Sequence, residues 1–140
     1  MAELKAGVVA TLETIRNHFP SHVITTRATA TGGAHVIIED VPLGPPYNQA
    51  TTWVGFHLSD ACPYDDTYPF YVRADLSRID GAPLRCPPLH STGQVFPADN
   101  STTDTRDATM VSRRQRDQAS FVFESPLSKL IKVLKWMLEQ

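Results

Sequence analysis

Two cysteines and a few polar side chains make up what this chain offers for chemistry. Cys86 carries the strongest intrinsic nucleophile, because a thiol is already partly thiolate near neutral pH. Arg85 beside it favours the thiolate, and His90 follows a short way on. Cys86 also lies in a proline-rich stretch, the kind of segment in which functional loops are found. An incidental loop thiol is the simpler account of the same residue. Cys62, between Ala61 and Pro63, reads as a small packing residue. His18, His22, His35, His57 and His90 are dispersed without ligand spacing, so no metal is expected. Gly32-Gly33 lacks the following lysine and helix of a phosphate-binding loop, and no cofactor is expected. Arg113, Arg114 and Arg116 form a short basic cluster with Asp107 and Asp117 nearby, which reads as a solvated strand or loop edge.

The bulk of the chain sets the frame for these groups. Its 140 residues fit one domain over 1–140, with 41% hydrophobic and 20% charged content typical of an ordinary globule. A formal net charge of −2 supplies no drive toward nucleic acid or anionic lipid, so neither is expected as a partner. Met1-Ala2-Glu3-Leu4-Lys5 leads into a segment interrupted by charge, unlike a signal peptide. No stretch approaches a membrane span. The two cysteines have neither disulfide-scaffold numbers nor metal-site spacing, and a reducing cytoplasm is the expected compartment.

Periodicity then places the elements. Leu4, Val8, Leu12 and Ile15 recur at helical spacing, with Val9 and Phe19 widening the stripe before Pro20 ends it. Four strands are predicted next: Val23–Arg27, His35–Glu39, Thr51–Leu58 and Phe70–Leu76. In the third, Trp53, Gly55 and His57 alternate against Val54, Phe56 and Leu58. In the fourth, Tyr71 and Arg73 alternate against Phe70 and Val72. Residues 77–107 hold several prolines and a polar run without strong periodicity, which predicts a long irregular segment of the kind that carries an active site. A short strand is predicted over Ala108–Ser112. Ser125 is a good N-cap and Pro126 suits the first helical position, opening a helix whose apolar face is Leu127, Leu130, Ile131, Leu134, Met137 and Leu138. Lys129, Lys132 and Lys135 are expected on its polar face. The fold class predicted is α+β: an N-terminal helix, a four-stranded antiparallel meander, the irregular segment and a C-terminal helix.

This order of elements resembles the ubiquitin-conjugating (E2) domain. The local likeness is Pro46-Tyr47, then Thr51-Thr52-Trp53-Val54-Gly55-Phe56-His57-Leu58, then Asp66-Thr67-Tyr68-Pro69-Phe70. It runs over roughly residues 3 to 76 and returns at the last helix. Tyr47, Trp53, Tyr68, Pro69 and Phe70 are read as fold residues, since rings and prolines cover and terminate a small sheet. The chain departs from the family after Phe70, where Tyr71-Val72-Arg73 continues as strand in place of two prolines. It also departs at Val95-Phe96-Pro97-Ala98-Asp99-Asn100, an echo of the histidine-proline-asparagine motif without its histidine. Threading on, the nucleophile's place falls within Met110-Val111-Ser112-Arg113-Arg114, at Ser112 and not at a cysteine. A serine-arginine pair ahead of the last helix is similar to divergent bacterial E2-like families found beside ubiquitin-like proteins.

The resemblance implies an E2-like acyl transferase. It would accept the C-terminus of a ubiquitin-like protein from an E1-like activating partner, as an oxyester on Ser112 or a thioester on Cys86. Arg113 or Arg114 would hold an acyl carboxylate or stabilise the oxyanion, and Asn100 would supply an amide. A serine hydroxyl needs an activating base, and no histidine is close to Ser112 in sequence. The competing expectation is a catalytically silent module that binds a ubiquitin-like protein or scaffolds a partner enzyme. An unrelated α+β binding protein is the third.

Overall fold

The structure is a computed structural model, and it describes residues 4–62, 67, 69–85, 89–97, 105–112 and 125–140. Helix α1 (Ala6–His18) is followed by strands β1 (Ile24–Ala28), β2 (Ala34–Pro42), β3 (Thr51–Leu58), β4 (Phe70–Arg73), β5 (Leu89–Pro97) and β6 (Thr105–Val111), and helix α2 (Pro126–Leu138) closes the order. All six strands belong to one sheet in the order β1-β2-β3-β4-β6-β5, and every pairing is antiparallel. The chain is therefore mostly β. This corrects the expected α+β arrangement with a four-stranded meander.

The correction falls on residues 77–107. Leu89–Pro97 is a nine-residue strand, and Thr105–Asp107 already belongs to β6. Two features hide β5 in the sequence. Its pairing with β6 shifts register between His90 and Gln94, where Gly93 takes a φ of 70°. A bulge of this kind breaks the two-residue alternation by which a strand is recognised. Pro97 closes the strand at its end, and β5 is an edge of the sheet, where proline is tolerated.

One face of the sheet carries the main core. Val36 and Ile38 of β2, Val54, Phe56 and Leu58 of β3, Phe70 and Val72 of β4, and Val111 of β6 point there. They meet Val8, Leu12 and Ile15 of α1 and Leu130, Val133 and Met137 of α2, so both helices lie on this one face. Burial of such side chains contributes ~1.5–3 kcal/mol each. Ser125 caps α2 by accepting the Ser128 N–H at 3.1 Å, and Pro126 takes the first turn. Tyr47, 1% exposed, donates its hydroxyl to the Met137 carbonyl at 2.9 Å and ties the turn before β3 to α2. Lys129 departs from the expected polar stripe. It is 6% exposed, and its ammonium donates to the Thr67 carbonyl at 3.3 Å. Among the described residues no helix is long and apolar enough to cross a membrane.

The opposite face is smaller and closes by curling. In a flat sheet β5 would lie ~14 Å from β3, three strand spacings away. Yet Phe96 of β5 stacks at 6.1 Å from Trp53 of β3 and 5.7 Å from His35 of β2. β4 ends at Arg73, so the far half of the β5–β6 hairpin has no neighbour in the sheet and folds over β2 and β3 instead. Arg106 of β6 reaches Glu39 of β2 at 2.7 Å, which fixes the same closure. Ile37, Phe96 and Ala108 form the buried centre of this second cluster, with Trp53 and Tyr71 against it.

Candidate functional site

The near end of the β5–β6 hairpin holds the one sequence-derived nucleophile that the structure describes. Ser112 follows Val111, the last residue of β6, and is partly exposed. Val111 pairs with Leu89 on one side and with Phe70 on the other, so Ser112 stands where β5 begins and β4 begins. Cys86, Asn100, Arg113 and Arg114 lie outside the described residues. The chain leaves β5 at Pro97 and enters β6 at Thr105, the end of β6 away from Ser112. A seven-residue strand puts those two ends ~20 Å apart.

Strand pairing brings a histidine toward the end of β6 that precedes Ser112, although none is close to Ser112 in sequence. His90 pairs directly with Met110, and strand alternation returns residue 112 to the side of residue 110. Carried one residue past Val111, the ladder would make Ser112 the diagonal neighbour of His90, a relation of about 7–8 Å between backbones that is within reach of a ring. His90 also lines a cleft of about 480 Å³ together with Leu76, Ser77, Leu84, Ser91 and Gln94.

The curled face gathers a second set of polar groups. His35 and His57 are a registered cross-strand pair with ring centroids 5.0 Å apart, and Arg27 of β1 pairs with His35 on the other side. Burial, followed by the charges of His57 and Arg27, lowers the His35 pKa to about 4. The Nδ1 of His35 is buried without a hydrogen-bond partner. The Arg106 guanidinium lies 5.3 Å from the Trp53 ring centroid while it binds Glu39 through both nitrogens. Beside this pair a cleft of about 380 Å³ is lined by Glu39, Asp40, Trp53, Arg73 and Asp75. The hydrogen bond from Arg73 holds the Asp75 carboxyl below its ordinary range.

Sequence reasoning placed His57 on one face with Trp53 and Gly55, because alternation within a strand is local. It did not bring His35 to His57, or His90 to Ser112. Those meetings depend on which strands pair and in what register, and no motif spacing encodes that. Among the described residues no group of three or more His, Cys, Asp or Glu side chains is arranged to hold a metal ion. Burial raises the Tyr47 phenol above its ordinary value, as suits a residue buried in the fold. Cys62 is buried, its thiol 3.3 Å from the Thr11 hydroxyl, in keeping with a packing role. No protein-family profile, curated protein or solved structure matches this chain.

Proposed function

We propose that this chain is an E2-like acyl carrier of a ubiquitin-like conjugation pathway. It takes the C-terminus of a ubiquitin-like protein from an E1-like partner as an oxyester on Ser112, in a cytoplasmic setting. The observation that carries this reading is the Val111–Leu89 pairing, which sets the partly exposed Ser112 at a sheet end, two residues from the Met110–His90 pair. The Pro46-Tyr47 and Tyr68-Pro69-Phe70 likeness supplies the class of acyl donor. A thioester on Cys86 is the variant of the same reading.

The test is incubation of the full chain with an E1-like protein, a ubiquitin-like protein and ATP, followed by gel analysis. An adduct that resists reductant, yields to mild base and disappears in Ser112→Ala supports the oxyester. An adduct removed by reductant and abolished by Cys86→Ala assigns the thioester. A second reading, a silent binding module, is favoured by one observation: Ser112 directly continues β6, as a serine that merely ends a strand would. Binding of the ubiquitin-like protein with no adduct under any condition selects it.

A further inference from the structure

The acyl-carrier reading leaves a chemical gap, because a serine hydroxyl is a poor nucleophile without a base. The β5–β6 ladder fills it. Leu89 opposes Val111 and His90 opposes Met110, so Ser112, two residues beyond Met110, falls on the His90 side when the alternation of β6 is carried one residue past its end. Diagonal neighbours of this kind are ~7–8 Å apart at the backbone, and an imidazole spans that gap toward a hydroxyl. His90 and Ser112 are both partly exposed, and His90 lines the cleft of about 480 Å³. Its place at the start of the strand, ahead of the register shift between His90 and Gln94, keeps it in the regular part of the ladder, opposite Met110.

We propose that the imidazole of His90 is the general base that accepts the Ser112 hydroxyl proton during acyl transfer. The proposal rests on the acyl-carrier reading above. The acyl donor is a thioester between a protein C-terminus and a cysteine of the activating partner. Ser112 Oγ forms the new bond to the acyl carbon as the carbon–sulfur bond breaks. The hydroxyl proton passes to His90 and then to the departing thiolate, which leaves as a thiol. No oxidant or further reactant is consumed.

The experiment is a four-way comparison of adduct formation in the full chain: wild type, His90→Gln, Ser112→Cys, and Ser112→Cys with His90→Gln. A general base contributes about a hundredfold or more. His90→Gln should therefore slow oxyester formation by ~100-fold. A thiol at position 112 is partly ionised without help, so in the Ser112→Cys background the same change should alter thioester formation by less than about threefold. A purely structural histidine would depress both backgrounds alike, and that result overturns the proposal. Oxyester formation at an unchanged rate in His90→Gln overturns it too, while leaving the acyl-carrier reading intact. Absence of any adduct in both wild type and Ser112→Cys removes that reading, and this proposal with it.

Discussion

The ring of Phe96 lies against the bare α-carbon of Gly55. A β-carbon at position 55 would stand 2.8 Å from both Cδ2 and Cε2 of that ring, and 3.0 Å from Cζ3 of Trp53. A β-carbon here would push the Phe96 ring away, so glycine at 55 lets the far edge of the sheet pack closely over β3. The same curl sets apart two ends of the hairpin: one closed over by Phe96 and Arg106, and the other carrying His90, with Ser112 just past β6.

Gly55→Ala is therefore expected to destabilise the protein by ~1–3 kcal/mol through overpacking. Phe96→Ala should cost ~3–5 kcal/mol, since it empties a buried site. In the double variant the alanine at 55 no longer meets the Phe96 ring and presses only on Trp53, so its added cost should shrink by at least ~0.5 kcal/mol. Denaturant unfolding of the four proteins measures this coupling. Strict additivity would show that the Gly55–Phe96 approach does not limit the curl.

Stability should fall on acidification through His35. Its folded-state pKa, about 4, lies below the ordinary 6.5, so the unfolded chain takes up the proton first. The stabilisation is complete above pH 6.5, declines as the pH falls, and is lost once the pH drops through about 4. The shift bounds the effect at ~3 kcal/mol, and partial exposure of the ring reduces it to ~1–2 kcal/mol. Unfolding free energies of wild type and His35→Gln between pH 7 and pH 4 check it. The variant should lose less stability than wild type over that window.

Tyr47→Phe removes one hydrogen bond and little volume. The Met137 carbonyl at the end of α2 loses a donor held at 2.9 Å in a buried setting. A loss of ~1–2 kcal/mol is expected. Amide hydrogen exchange should show the last turn of α2 opening more readily in the variant, while α1 stays unchanged.

At the other end of α2, Ser125→Ala should cost ~1 kcal/mol by leaving the Ser128 N–H without its capping oxygen. Ser125→Asp should restore most of that loss, because a carboxylate caps the same N–H and suits the positive end of the helix. Thermal unfolding of the three proteins decides it. An alanine variant as stable as wild type would mean that the cap contributes nothing.

Much of this molecule was legible along the chain. Val8, Leu12 and Ile15 at helical spacing, and Ser125-Pro126 ahead of Leu127, Leu130 and Met137, mark two helices because periodicity and capping act over a few residues, although in the second helix Val133 is buried while Ile131 and Leu138 of the expected apolar face are exposed. The split of Trp53, Gly55 and His57 from Val54, Phe56 and Leu58 assigned both faces of β3 for the same reason. The strand at Leu89–Pro97 was not legible, because its bulge at Gly93 and its flanking prolines erase the local pattern while hydrogen bonds to β6 still hold it. Lys129 was misassigned because helical position alone does not reveal that Thr67 offers it a carbonyl. Tertiary structure alone set His90 opposite Met110, two residues from Ser112, and brought His35 to His57 and Phe96 to Gly55. Each of these meetings is set by strand order, register and curl, which arise from pairing between distant segments and from no property of either segment by itself.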